Sequence, residues 1–574
     1  MLGFNTRRRR RVIDIAPDEI FLDSSNLPGH FAGQLEGRVE RSVTTRPLVF
    51  AGVFFCAVAI LFAAQSLNLQ IVHGAAYADV SRNNTLGHSL VFSTRGVIYD
   101  RMGVELAWNE LASTTIVSSV GSTTSFALRR YNTRPGMAHI LGWMRYPKED
   151  ASGVWWRDAY TGMSGAELSF DSVLSGVNGS TIVESDARGR IQRKNIISPA
   201  QDGENLHLSI DADVQSELYT LLWAHARENH FMGGAAVIMD VETGQMLALT
   251  SFPEYDHASF TDGDNAVVAA ASVDAHTPLL NRAVAGLYAP GSIVKPIFAA
   301  AALNEKIISP DKIITSVGQI SIPNAYDHTK PTIFRDWTVH GPIDMRTALA
   351  VSSDEYFYTI GGGYGGQAGL GIDRIDRYAR MFGLASTTGI ALLGEQDGNI
   401  PTPAWKARIF PDDAWRLGDT YHTAIGQYGF QVTPIQAVRY ASAIANGGRL
   451  FTPQIIMDAI PHFTPVGIPD SYLQIVREGM RMAVTSNRSD ATVKFFNISG
   501  IELAAKTGTA QIGNHNQWMN SWSIGFWPAS KPRYAYAVVL EQAPAGTASG
   551  AAPAMLPFFQ WLIANHPEYV HALP

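Results

Sequence analysis

The chain has 574 residues, of which 46% are hydrophobic and 17% charged, with a formal net charge of −7. The length accommodates about four domains, and the charged share, below the roughly 25% usual for soluble domains, leaves room for a segment outside water. The acidic balance argues against a nucleic-acid binder, and the single cysteine, Cys56, excludes an intramolecular disulfide, a multi-cysteine zinc site and a Cys-x-x-Cys redox pair.

Residues 1–46 hold eight basic residues, Arg7 to Arg11, Arg38, Arg41 and Arg46, against six acids, and few large apolar side chains. This tail is predicted to be disordered. From Pro47 to Ala78 there is no Asp, Glu, Lys or Arg, and Leu48–Ala64 is apolar throughout. Residues 47–72 are therefore predicted to form one transmembrane helix. The 46 residues ahead of it are too many for a signal peptide's n-region. Lys and Arg set orientation while acids count for little, so the tail is predicted to be cytoplasmic and the rest to lie outside.

Residues 74–205 form a first outer block, with strands predicted at Ser89–Phe92 and Gly96–Tyr99 and a turn at Asp100–Gly103. A second block, 206–574, begins with a strand-like Leu206–Ile210. Asp211 reads as the N-cap of a helix over 212–227. Gly234–Asp240 and Gln245–Thr250 read as a hairpin around Glu242-Thr243-Gly244. Helices are predicted at Ala266–Val273, Ile293–Asn304, Met345–Ala350, Pro434–Asn446, Ser471–Ala483 and Leu556–Ala564. Late strands are predicted at Ser521–Trp527 and Tyr534–Leu540, and Ala543–Ala554 as a surface loop. Strands at both ends of this block, with helices between, predict one α/β domain whose sheet is built by both termini.

Three short motifs stand in order. Ser292-Ile293-Val294-Lys295 follows Gly291, so the serine falls at a helix N-terminus with the lysine one turn on, on the same face. A lysine can act as base for such a serine, provided burial and a neighbouring cation lower its pKa, and helix-terminal amides can stabilise an oxyanion. Ser352-Ser353-Asp354 lies 60 residues further on, and Lys506-Thr507-Gly508-Thr509 another 154. S-x-x-K alone arises by chance in a chain of this length. The ordered set S-x-x-K, S-x-N/D, K-T-G is the signature of penicillin-binding proteins and class A β-lactamases.

Further segments extend the resemblance. Arg95-Gly96-Val97-Ile98-Tyr99-Asp100-Arg101-Met102-Gly103 resembles the R-G-x-I-x-D-R-N-G segment of class B penicillin-binding proteins, with Met102 in place of Asn. Gly165-Ala166-Glu167 through Gly179 resembles their pedestal stretch, with Phe170 in place of Tyr. Ser352–Tyr358 and Ile400–Lys406 are similar to S-x-D-T-x-F-Y and I-P-T-P-E-W-K of the elongation-type enzymes, the penicillin-binding protein 2 family. The resemblance covers about 75–565.

It implies a penicillin-binding, serine β-lactamase-like transpeptidase domain of α/β (α+β) class at 206–574, preceded by an elongated, mainly β pedestal at 74–205 and the single anchor. It implies a peptidoglycan D,D-transpeptidase of cell-wall elongation that penicillins acylate. Ser292 would be the nucleophile, Lys295 its base, Ser352 a proton relay and Asp354 a holder of Lys295. Lys506, with Thr507 and Thr509, would bind the substrate's terminal carboxylate, with Gly508 and Ser353 in the same substrate-binding set; the amides of Ser292 and Thr509 would form the oxyanion hole. Implied partners are peptidoglycan stem peptides, β-lactams, a SEDS-family glycan polymerase and the rod-complex membrane proteins. Asp327, His328, Asp336, His340 and Asp344 form a polar cluster where some elongation-type relatives bind zinc with a cysteine ligand. No cysteine stands there, so no metal or cofactor is expected. Trp337 and Trp522 read as core or cleft-lining aromatics. A division-type transpeptidase, a carboxypeptidase and a non-catalytic scaffold of the wall-synthesis complex are the competing readings.

Overall fold

The computed structural model describes residues 45–78, 86–110, 116–117, 123–124, 126–151, 154–185, 191–324, 327 and 329–570. The tail prediction for 1–46 falls almost wholly outside these. The chain divides into two units, Met1–Thr85 and Leu86–Pro574. In the first, the α-helix Thr45–Leu67 runs into a π-helical turn, Asn68–Val72. These 28 residues span about 40 Å at the helical rise, enough to cross a hydrocarbon layer.

The second unit begins with small sheets. One orders Leu206–His207, Ile98–Tyr99, Glu105–Glu110 and Leu128–Tyr131; another joins Leu86–Val91, Gly179–Ser185 and Ile191–Ser198. The strand expected at Leu206–Ile210 is only two residues long: Leu208 still donates its amide to Tyr99 O at 2.8 Å but already bridges to Ile456. Around these sheets the two pedestal motifs meet. Arg95 Nε donates to Glu167 Oε2 at 2.5 Å and Arg129 Nε to Glu167 Oε1 at 2.7 Å, all three side chains fully buried or nearly so. Arg95 also reaches Asp171 at 2.7 Å and the Ser175 hydroxyl at 2.7 Å. Two guanidiniums can be buried here because one carboxylate is shared between them and most of their other donors reach oxygens, Arg129 Nη1 at Gly96 O among them, while Arg129 Nη2 is left without a partner among the described residues. Asp100 ties this region to the helix that begins at Ala212. Its Oδ1 accepts from Met102 and Val104, forming the predicted turn, and its Oδ2 accepts from the Ala212 amide.

That helix, Ala212–Glu228, has Asp211 as N-cap, accepting from Asp213 and Val214. The main sheet is wholly antiparallel and orders Met246–Phe252, Gly233–Asp240, Tyr534–Pro544, Trp518–Trp527 and Ala504–Ile512. Both ends of the block build it, as predicted; its antiparallel strands make the domain α+β. The strand Gly233–Asp240 is buried on both faces, which is why it reads as a continuous apolar run rather than an alternation. Ala236 and Ile238 face Leu218, Leu222, Phe558 and Phe559 of the two helices on one side. Ala235, Val237 and Met239 face the other core, with Pro434–Ala445 and Lys295–Asn304.

Two expectations need correction. The helix expected from Ile293 to Asn304 is a 3-10 turn, Gly291–Val294, followed by an α-helix from Lys295. Pro296 has no amide hydrogen to donate and is tolerated only in a first helical turn, so the α-helix starts there. The loop expected over Ala543–Ala554 is strand to Pro544 and helix from Ala551, whose amide donates to Ser521 Oγ. Pro553 again sits in a first turn, and alanine favours helix.

Candidate active site

Ser292 sits in the 3-10 turn, held against the edge strand Ala504–Ile512. Gly291 has φ +56°, and a Cβ there would stand 2.8 Å from the Thr509 carbonyl oxygen; a Cβ on Gly508 would stand 2.8 Å from that of Pro290. Two glycines thus allow contact that no other residue permits, bringing the Ser292 turn beside Thr509. The indole of the fully buried Trp522 donates to Ala289 O at 2.9 Å, and Tyr440 to Ile293 O at 2.8 Å, fixing the turn from both sides.

Behind the serine, Lys295 is fully buried. Its Nζ donates to Asp354 Oδ1 at 2.6 Å and Ser352 O at 2.7 Å and lies 3.5 Å from Ser352 Oγ. Lys506 Nζ lies 2.6 Å from Ser352 Oγ and 2.8 Å from Thr507 O. Burial first, and then the charge of Lys295, push the Lys506 pKa well below its ordinary value, with Asp354 opposing. Spacing and resemblance assign the lowered pKa to Lys295 and the fixed carboxylate-binding charge to Lys506. In the structure Lys506 is sealed behind the cleft with only neutral oxygens as partners, so it does not meet the substrate as a fixed surface charge.

Ser352 lies between the lysines with φ +57°, a left-handed conformation that costs energy for a residue with a Cβ and concentrates at functional sites. It ends the helix Met345–Val351, and Ser353 begins the next, Asp354–Gly362. Ser353, expected to bind substrate, is fully buried; its hydroxyl donates to Asp336 Oδ2 at 2.6 Å and accepts from the Tyr356 amide. It is an N-cap, and its place is structural.

A cleft of about 1040 Å³ opens in front. Ser292, Ser352, Asp354, Thr507, Gly508 and Thr509 line it, with Tyr358, His422 and Tyr428 on one wall. Trp337 is 55% exposed at its rim and donates to Val351 O. His422 is pushed below its usual value by burial.

The polar cluster divides. Asp344 caps Met345–Val351, Asp327 turns back on Thr329, and His328 lies outside the described residues. Asp336 and His340 meet a partner the sequence did not single out, Asp490. His340 Nδ1 is 2.8 Å from Asp490 and its Nε2 3.5 Å from Asp336, while Arg488 grips Asp490 at 2.8 and 2.9 Å. Burial disfavours the charged imidazole, but the Asp490 bond and the charge of Asp336 on the other side outweigh it and raise its pKa. Burial likewise opposes the Asp336 anion, yet the nearby His340 and bonds from the Ser353 hydroxyl and the Glu355 amide hold its pKa well below the carboxylate range. Asp336 therefore fixes the Ser352–Asp354 turn. Neither Asp336 nor Asp490 could have been assigned from spacing: Asp490 is 150 residues from its histidine.

Residues 234–560 match the family described as the penicillin binding protein transpeptidase domain, and 120–208 the penicillin-binding protein dimerisation domain. A peptidoglycan D,D-transpeptidase MrdA of Haemophilus influenzae is 32% identical over 74% of this chain and 68% of its own. Penicillin-binding protein 2 of Pseudomonas aeruginosa, in complex with WCK 5153, matches with a TM-score of 0.66 and 28% identity, covering 84% of this chain and all of that one. The complex of penicillin-binding protein 2 and MreC from Helicobacter pylori contains a chain matching with a TM-score of 0.69 and 25% identity, over 84% of this chain and 99% of that one.

Proposed function

The chain belongs to the penicillin-binding protein transpeptidase family, and from that premise we propose how its residues carry the reaction. It is a peptidoglycan D,D-transpeptidase of the elongation type. Ser292 Oγ attacks the carbonyl carbon of the penultimate D-Ala in a stem peptide, forming an acyl-enzyme ester as the peptide bond to the last D-Ala breaks. On this reading Lys506, its pKa lowered by burial and by the charge of Lys295, is the proton acceptor: Lys295 passes a proton to it through Ser352 Oγ and accepts the Ser292 proton in its place. The chain then runs in reverse and protonates the departing amine. The amine of a second stem peptide attacks the ester, loses its proton to the same relay, and frees Ser292. The amides of Ser292 and Thr509 hold the oxyanion, about 3 kcal/mol per donor in other acyl-transfer enzymes. The hydroxyls of Thr507 and Thr509 take the terminal carboxylate at the cleft surface.

The observation that carries this reading is the convergence of three motifs, spread over more than two hundred residues, on one oxygen: Ser352 Oγ lies within 3.5 Å of Lys295 and 2.6 Å of Lys506. One apolar helix suited to a membrane span anchors the chain. With the tail cytoplasmic, the cleft faces the wall. The association of the Helicobacter relative with MreC supports a place among membrane-bound wall-synthesis proteins, with a SEDS-family polymerase as the expected glycan partner.

The test is covalent labelling of the detergent-purified chain by a fluorescent penicillin, beside Ser292→Ala. Label on the wild type alone supports the nucleophile. A folded wild type that takes no label overturns the catalytic reading in favour of a scaffold. Adding an amine acceptor to a D-Ala-D-Ala peptide then separates crosslinking from hydrolysis.

A further inference from the structure

The cleft wall carries one basic charge that the reaction does not use. Arg335 ends the strand Pro331–Arg335, which pairs with Gln319–Pro323. Its side chain is exposed and lines the cleft, while the residues on either side are committed. Phe334 is buried with its ring against Tyr358, Tyr421 and His422, and Asp336 holds the turn of the second motif. Tyr358 also donates to the Arg335 carbonyl at 3.4 Å. The guanidinium is thus presented from an anchored backbone, on the wing that carries Asp354 rather than on the strand that carries Thr507 and Thr509.

The charges around it are already balanced. Three carboxylates belong to the same cleft wall: Asp354 is paired with Lys295 at 2.6 Å, Asp490 with Arg488 at 2.8 Å, and Asp336 with His340 at 3.5 Å. The lysines lie behind the wall, so Arg335 is the one Lys or Arg among the described residues lining the cleft. Among the described residues it has no acidic partner within salt-bridge distance. An uncompensated guanidinium in a concave wall attracts an oxyanion, and its fork matches a carboxylate with two parallel hydrogen bonds.

We propose that Arg335 binds a second carboxylate of the stem peptide, other than the terminal one, and so selects peptides that carry such a group over those in which it is amidated. This rests on the transpeptidase reading. The carboxylate can belong to the donor stem, upstream of its D-Ala-D-Ala end, or to the acceptor stem; the same fork serves either.

The experiment uses the full chain in detergent with two synthetic pentapeptides ending in D-Ala-D-Ala, identical except that one has free carboxylates upstream and the other has them amidated. The readout is the ratio of kcat/KM for D-Ala release, which general damage to the enzyme does not move. The wild type should favour the free form by about tenfold or more, as expected for a charge-assisted bidentate contact. In Arg335→Gln the ratio should fall towards one, and Arg335→Lys should restore part of it. Discrimination without acceptor assigns the carboxylate to the donor. Discrimination that appears only in crosslinked product, with free and amidated acceptors compared, assigns it to the acceptor. A ratio equal in wild type and Arg335→Gln in both formats overturns the proposal. Penicillin labelling of wild-type Ser292, run in parallel, shows whether the transpeptidase reading itself stands.

Discussion

Lys506 Nζ and Ser352 Oγ are 2.6 Å apart, across 154 residues of sequence, in a buried contact at the back of the cleft. The bond joins two motifs to the third through Lys295, and it places a lysine whose pKa burial and a second cation have lowered next to the hydroxyl proposed as the proton relay. If Lys506 works as a neutral amine, a side chain that cannot lose its proton should fail. Lys506→Arg and Lys506→Gln are both expected to lose about 10²–10⁴ of the second-order rate of penicillin acylation. In the wild type that rate should rise with pH below the ordinary lysine range, as the fraction of neutral Lys506 grows, and the limb should be absent in Lys506→Gln. Arginine at full rate would mean that charge alone is needed there.

The fit of the Ser292 turn to the edge strand makes a second, purely steric prediction. An alanine at 508 would put its Cβ 2.8 Å from Pro290 O and 2.9 Å from Ile293 Cγ2. Backbone cannot yield as a side-chain end can, so the strand must move away from the turn and part the amides of Ser292 and Thr509. Gly508→Ala is expected to fold, with an unchanged circular dichroism spectrum, and to lose roughly 10²–10³ in acylation rate, about one oxyanion donor. An unimpaired rate would remove Thr509 from the oxyanion hole.

Glu167 offers a stability test away from the chemistry. It is the one carboxylate shared by the buried Arg95 and Arg129. Glu167→Ala leaves both guanidiniums without it and should destabilise the pedestal by about 3–5 kcal/mol. Asp171→Ala, at a side chain one third exposed, should cost under about 1 kcal/mol. Hydrogen exchange of the strands Ile98–Tyr99 and Leu128–Tyr131 resolves the two; equal protection in both variants would show that the network does not hold the pedestal together.

Legibility in the sequence divides along a physical line, between local signals and long-range contacts. Four strands of the main sheet are legible because they are buried on both faces and mostly apolar, whereas the fifth, Ala504–Ile512, carries Lys506, Thr507, Thr509 and Gln511; the helix at Ala212 is legible because Asp211 is a local cap. The motifs Arg95–Gly103 and Ile400–Lys406 are recognisable, but not what they do. Arg95 exists to meet Glu167, and Lys406 is buried with its Nζ on Asp419 at 2.7 Å and Ala414 O at 2.9 Å. Protonation is a property of the assembled site: spacing puts Lys295 beside Ser292, but only the fold brings Lys506 in behind it. Ser353 misleads because a cap and a substrate ligand look alike between Ser352 and Asp354. The Asp336–His340–Asp490 row needs contacts across 150 residues, which no window of sequence contains.

That row makes the final prediction. Asp490, gripped by Arg488 and His340 against the opposing effect of burial, has its pKa lowered from 3.8 to about 2. Such a group adds stability above the unfolded value near 4 and loses it as the pH falls towards 2. His340 works from the other side. Its pKa is raised, so its contribution is complete below the unfolded 6.5 and is lost as the pH climbs through the raised folded value. The two windows overlap between about pH 4 and 6.5, where the imidazolium and the carboxylate are both charged. Asp490→Asn should therefore lower the urea midpoint most in that interval, by an amount equivalent to roughly 1–2 kcal/mol, and less at about pH 2.5 and pH 9. Tryptophan fluorescence reads it, since Trp337 packs 5.1 Å from the His340 ring. A deficit that is flat with pH would mean Asp490 acts by packing alone, and that the second motif is held by Asp336 without help from the charges behind it.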